Sequence, residues 1–242
     1  MEVTKILDMI ARGRTDYIVE LLQLPHWKDY LSQGEVKPLQ WLVYYNDITA
    51  LKAILNAGGN LYSINVDEEL EHAAFFGHWK VCGFLIGQGA NVKATLNKTG
   101  ETPLHQALAK AGRPYYFYTV KLLVERGADV NAKTIAGQET GAFMRDVRTK
   151  GETPLHRAAA YADEHTIQYL IEQGAKVDAK DAYGASPLTW ASEHLRPGKI
   201  LALLAYGPHT IHETHVQKNT SDHGQGWGNG MDWNLLGEYL PE

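Results

Sequence analysis

The sequence predicts an all-α solenoid: helix pairs, antiparallel within each pair, stacked side by side and joined by β-hairpin finger loops. Three observations predict it. The tetrapeptide Thr102-Pro-Leu-His105 returns as Thr153-Pro-Leu-His156 and, altered, as Ser186-Pro-Leu-Thr189. Thr153 and Ser186 lie 33 residues apart, and Thr102 and Thr153 lie 51 apart, one such period plus 18. Self-similarity at a fixed period of this length marks a stacked repeat array. The chain of 242 residues is 44% hydrophobic and 21% charged, which excludes wholesale disorder and collagen-like structure.

Working outward from the tetrapeptides, in-phase units begin at residues 4, 37, 68, 102, 153 and 186. Thr at the start of a unit caps a helix through its hydroxyl. Pro follows at the first helical position, where its missing N–H costs nothing. Leu104 with Ala107, and Leu155 with Ala158 and Ala159, define a short first helix with a small-residue face that lets neighbours approach closely. Val120, Leu122 and Leu123, then Ile167, Leu170 and Ile171, recur at helical spacing and define the second helix. Gly58, Gly89, Gly127 and Gly174 are placed to stop these second helices in a left-handed cap. A short extended segment follows (ADVNAK, AKVDAK), then a glycine turn at Gly100, Gly151 or Gly184. The domain reading is therefore an N-terminal capping unit over 1–36, about five units over 37–207, and a tail over 208–242.

Three regions depart from the period. Four extra residues fall in AKAGRPYYFYT, near 110–119, where Pro114 interrupts helix continuation and Tyr115, Tyr116, Phe117 and Tyr118 form an aromatic run. Those rings either pack on the flanking helices or offer contact area. Fourteen further residues, about 134–148, lengthen the finger after Asn131. Phe143, Met144 and Val147 in it either make a small core of their own or grip a ligand. The tail from Pro208 is polar at first and amphipathic at its end, and is expected to cap the last unit or to dock along the groove.

On Thr102-Pro-Leu-His105, Thr153-Pro-Leu-His156, Gly127-Ala-Asp-Val-Asn131 and Gly174-Ala-Lys-Val-Asp178, the chain resembles the ankyrin repeat family, over roughly residues 4 to 207. The resemblance implies a non-enzymatic protein-binding module with no catalytic residues. His105 and His156 are then structural. It also implies a concave binding face built from first helices and finger tips. The residues it places on that face include Trp41, Tyr44 and Tyr45, then His72, Phe75 and Phe76, then Gln106, Ala109 and Lys110. Arg157, Ala160 and Tyr161 follow, and the last unit gives Trp190, Glu193 and His194. Lys98, Thr99, Glu101, Lys150, Glu152 and Tyr183 are expected as a polar rim. The partner-binding set is Trp41, Tyr44, Tyr45, Phe75, Phe76, Tyr161, Trp190 and Tyr183, since contiguous exposed aromatics mark interaction sites. The alternative is that Trp227 or Trp233 of the tail, or the finger, covers those rings. Leu123 and Asn131 also match the spacing of asparaginyl hydroxylase substrates in this family, which makes Asn131 a candidate modification site.

The remaining signals bound the function. The net charge of −5 argues against electrostatically driven nucleic-acid binding. No run of 18 apolar residues is present, so no membrane-spanning helix is expected. The N-terminal segment does not read as a signal peptide. The one cysteine, Cys82, allows no intrachain disulfide and reads as a buried inert thiol. Taken with the resemblance, which implies another protein as partner, the expectation is a monomer in a cytoplasm, its own or that of a host cell, with no cofactor or metal. The enzymatic alternative places a small-molecule or metal site among the finger, the groove and the tail, with His194, His209, His212 and Glu213 converging. The sequons at Asn97 and Asn219 carry no force in a reducing compartment.

Overall fold

The computed structural model describes residues 2–32, 37–95, 98–109, 116–140 and 148–206. The tail, the tip of the long finger, Lys110 and Tyr115 lie outside the described residues, and so do the expectations placed on them. Twelve α-helices and no strands occur among the described residues. They run in pairs: α1 (Val3–Ala11) with α2 (Ile18–Leu21), α3 (Pro38–Tyr44) with α4 (Ile48–Asn56), and α5 (Val66–Phe75) with α6 (Trp79–Gly87). Next come α7 (Pro103–Ala107) with α8 (Tyr116–Glu125), α9 (Pro154–Tyr161) with α10 (Glu164–Glu172), and α11 (Pro187–Glu193) with α12 (Gly198–Leu204). First helices stack on first helices and second on second, as in α9 against α11 and α6 against α8. No helix among the described residues is long and apolar enough to cross a membrane.

The repeated leucine explains the stacking. Leu39, Leu70, Leu104 and Leu155 are completely buried, and Leu188 nearly so. Each lies one step past the Pro position and points between layers. Burying one such side chain contributes roughly 1.5–3 kcal/mol. The alanines beside them (Ala73, Ala74, Ala107, Ala158, Ala159, Ala191) are equally buried. With Leu51, Leu85, Leu123, Leu170 and Leu201 from the second helices they form one continuous core.

The Thr-Pro-Leu-His motif works as a cap and as a tie. The backbone N–H of Thr102 donates to His105 Nδ1 at 3.2 Å, and the Thr102 hydroxyl lies 2.9 Å from the same nitrogen. That leaves Nδ1 without a proton, so His105 Nε2–H donates to the carbonyl of Glu152 in the next unit, 3.3 Å away. His156 repeats the pattern, with its Nε2 3.1 Å from the carbonyl of Ala185. Burial pushes both rings below the ordinary histidine pKa, so each holds the neutral tautomer that the tie requires. Gly127 and Gly174 end α8 and α10 at φ +91° and +89°, the left-handed conformation that glycine adopts without steric cost.

Three features differ from the sequence expectation. The third unit's first helix begins at Val66, ahead of Glu68, because the Asn65 side chain accepts the Asp67 N–H and no proline fixes the start. In the first unit Thr4 lies inside α1, whose cap, Glu2, makes no side-chain bond. Among the described residues the finger loops are hairpin-like without forming strands. In the long finger, Thr134 N–H donates to Glu152 O, Gly137 N–H to Thr149 O and Thr149 N–H to Gln138 O. An antiparallel bridge joins Glu139 to Arg148. Neighbouring fingers are stitched together by Ile135 N–H to Thr99 O and Ala182 N–H to Lys150 O.

Candidate functional site: an aromatic corner on the first helices

The last turns of α3 and α5 carry the aromatics onto one surface. Tyr44 follows Trp41 by three residues, so both lie on one face of α3, and Phe75 and Phe76 occupy the equivalent end of α5. Trp41 stands nearly perpendicular to Tyr44 (84°, ring centroids 5.7 Å apart), and so does Phe76 (79°, 5.1 Å). Phe76 also meets Phe75 edge to face at 5.2 Å and stacks on His78. Tyr44 is 48% exposed, while Trp41, Phe75 and Phe76 are half-buried. Trp41, Tyr44 and Phe76 line a cavity of about 400 Å³ together with Lys37, Gln40, Glu69 and His72.

The polar wall of this cavity has its own order. Gln40 stands where other units have the motif histidine, and it too reaches forward one unit. Its Nε2 donates to Glu69 Oε1 at 2.9 Å. The other Glu69 oxygen lies 3.5 Å from His72 Nδ1. Glu69 is almost completely buried, and its hydrogen bond to His72 raises that ring's pKa.

The other expected contact residues divide. Tyr45 is partly exposed, but its hydroxyl donates to Ala11 O at 2.8 Å and its ring lies against Gly13, so it also anchors the first unit. Tyr161 is half-buried beside His194, with ring centroids 5.1 Å apart. Tyr183 is 73% exposed at the last finger, where Asp181 Oδ1 accepts its N–H and that of Ala185. Trp190 requires correction: it is 4% exposed, and its indole N–H donates to Asp181 Oδ2 at 3.0 Å. It is a support beneath the last unit, because an acceptor nine residues upstream draws the ring inward.

The expected polar rim needs a larger correction. Lys98, Lys150 and Tyr183 are at least partly exposed, but Thr99, Glu101 and Glu152 are buried. Arg157, expected to face the groove, is completely buried. Its Nε and Nη2 donate to Glu152 Oε1 at 3.0 and 2.6 Å. The same Nη2 reaches Glu101 Oε1 at 2.6 Å, and Nη1 donates to His105 O at 3.1 Å. Thr134 Oγ1 and Lys150 N–H bind the second Glu152 oxygen, and Thr140 Oγ1 binds that of Glu101. Burial opposes the charge on Glu152, but the Arg157 guanidinium and the Thr134 hydroxyl outweigh it and hold this carboxyl well below the ordinary range.

Glu71 is the opposite case. It occupies the motif's histidine position in the third unit, a site built for a neutral ring, and Oε2 of its side chain is buried with no hydrogen-bond partner. Burial, then the nearby carboxylates of Glu101, Glu68 and Asp67, push its pKa up to about 8.

Of the aromatic run after Pro114, Tyr116 is buried and donates to Phe75 O at 2.8 Å. Phe117 packs on Tyr169 and His165. Of its described residues Tyr118, next to Trp79, is largely exposed, on the second-helix side. Asn131 has a fully engaged side chain: Nδ2 donates to Gly174 O and Oδ1 accepts the Lys176 N–H, both at 2.9 Å. Cys82 is a buried free thiol whose pKa burial raises. His209, His212 and Glu213 lie outside the described residues. His194 Nδ1 is 2.8 Å from Trp190 O. Among the described residues no three His, Cys, Asp or Glu side chains are placed to share a metal ion.

Comparison with known proteins gives one family. A family model described as ankyrin repeats, three copies, matches residues 39–134 and again 135–214. Human Rabankyrin-5 is 38% identical over 110 residues, 45% of this chain and 9% of that protein. Neurogenic locus notch homolog protein 1 of Xenopus laevis is 31% identical over 156 residues, 56% of this chain and 6% of that protein. Human neurogenic locus notch homolog protein 2 is 31% identical over 170 residues, 62% of this chain and 7% of that protein. The chain thus spans less than a tenth of the length of these relatives.

Proposed function

This chain belongs to the ankyrin repeat family, and we propose that it is a non-enzymatic module that binds another protein on the concave face of its first helices. Ankyrin repeats are in general protein–protein interaction modules. The observation that carries the reading is the corner formed by Trp41, Tyr44 and Phe76, partly exposed rings around one cavity on two adjacent units. Aromatics in such positions act as binding anchors because they bury large area at low entropy cost. Tyr45, Phe75 and Tyr161 extend the surface, and Tyr183 stands at its rim. Trp190 supports the face from below. The module acts as a monomer in a cytoplasm, and Asn131 is its candidate modification site.

Tyr44→Ala combined with Phe76→Ala tests the site. Tyr45 is left intact because its hydroxyl holds the first unit. A partner captured by the full-length chain should be lost by the double variant at unchanged circular dichroism. Undiminished retention by the folded variant refutes the site.

A further inference from the structure

We propose that Glu71 is a proton-operated latch between the third and fourth units: protonated, its carboxyl donates a hydrogen bond to the backbone carbonyl of Glu101, and ionised, it gives that bond up. The register of the array carries the assignment. His105 ties the fourth unit to the fifth through the Glu152 carbonyl, and His156 ties the fifth to the sixth through the Ala185 carbonyl. Each acceptor is the residue just before the next unit's Thr153 or Ser186. Glu71 holds the same place as those histidines, and the matching acceptor, just before Thr102, is the Glu101 carbonyl. Both residues are buried, Glu71 at 3% exposure and Glu101 at 1%. Among the described residues nothing donates to the Glu101 carbonyl, and Glu71 Oε2 has no partner. A carboxylate cannot donate, so an ionised Glu71 leaves two buried acceptors unpaired at one joint, each at a cost. A neutral carboxyl carries the O–H that satisfies both.

The surroundings favour the neutral form. Asp67 and Glu68 on α5, and Glu101 ahead of α7, act on Glu71 as like charges and, with burial as the larger cause, raise its pKa to about 8. Helices α3, α6 and α7 pack against α5, and none supplies a countercharge. Lys37 before α3 and Lys80 on α6 form no ion pair with Glu71 among the described residues. Burial holds His78 before α6 and His105 on α7 neutral and keeps the Cys82 thiol protonated. Arg157 is taken up by Glu101 and Glu152, and His72 by Glu69. When Glu71 ionises, its proton passes to solvent water and the carboxylate turns outward to be hydrated. The bond from the Tyr116 hydroxyl to Phe75 O, 2.8 Å, spans the same joint in either state, so ionisation loosens the joint without parting it. The latch does not depend on what the concave face binds.

The test is hydrogen exchange of the full chain, read by mass spectrometry from about pH 5 to about pH 9. The open fraction of the α5 and α7 amides is taken as the ratio of parent to Glu71→Gln. Glutamine cannot ionise and keeps an N–H for the Glu101 carbonyl, and the ratio cancels the titration of His72 and His105, which both proteins share. That ratio should climb about tenfold per pH unit from 4.5 toward about 8 and then level off. In α11 and α12 it should stay flat. Carbon-13 spectra of the parent need no variant: the Glu71 carboxyl carbon and the Glu101 carbonyl carbon should titrate together at about pH 8. A flat ratio in α5 and α7, an equal climb in α11 and α12, or a Glu101 carbonyl that does not follow Glu71 overturns the latch.

Discussion

Replacing Arg157 with Met should damage the fold far more than its place on a first helix suggests. The guanidinium is completely buried, and its nitrogens reach two carboxylates and one backbone carbonyl. Methionine fills much of the space but leaves Glu101 and Glu152, 1% and 0% exposed, as like charges facing each other out of water. Breaking a buried pair from one side costs about 3–5 kcal/mol. For a chain of this size that lowers the midpoint of thermal unfolding by roughly 10 °C. The carboxylates' remaining donors, Thr134, Thr140 and the Lys150 N–H, offset part of the loss, so the lower end of the range applies. Urea unfolding followed by circular dichroism measures it. The informative comparison is the triple variant Arg157→Met, Glu101→Gln, Glu152→Gln, which removes all three charges and should recover more than half of the loss. A single variant within about 1 kcal/mol of the parent, or a triple variant no better than the single one, refutes the reasoning.

Two further outcomes follow from the same geometry. Glu71 has its folded-state pKa raised from 4.5 to about 8, so the stability tied to its bound proton is fully present below pH 4.5 and is lost as pH rises through about 8. Glu71→Gln, which cannot ionise, should match the parent near pH 4.5 and exceed it by several kcal/mol, at most about 5, at about pH 9; a pH-independent difference would contradict this. Tyr45→Phe should loosen the first unit by removing the bond to Ala11 O, a loss of about 1 kcal/mol read as faster hydrogen exchange in α1 with α9 unchanged.

How much of this was legible depends on sequence distance. The Thr-Pro-Leu-His caps, the buried leucines and the left-handed glycines all act within a few residues, and a 33-residue period exposes them. The aromatic corner was legible because Tyr44 and Tyr45 occupy the positions in their unit that Phe75 and Phe76 occupy in the next. Arg157 was not, because a position's phase says which way a side chain starts and not where its charge ends. Its partner Glu101 is 56 residues away. Trp190 turned inward for the same reason, drawn by Asp181. Glu69 went unnoticed because it occupies the motif's proline position, where no side-chain role is expected, and Glu71 because only the buried histidine at the matching place reveals the environment it has entered.

The guanidinium that clasps Glu101 and Glu152 also bears on how the array comes apart under load. Elsewhere, neighbouring layers are held by apolar packing and by separate hydrogen bonds such as His156 to Ala185 O and Asn131 to Gly174 O, which can be given up one at a time. Here three ionised groups from two layers must be rehydrated together before either can leave. A chain pulled from both ends would therefore shed its outer layers first and hold longest at this rivet, so that α7 and α9 come away as one piece.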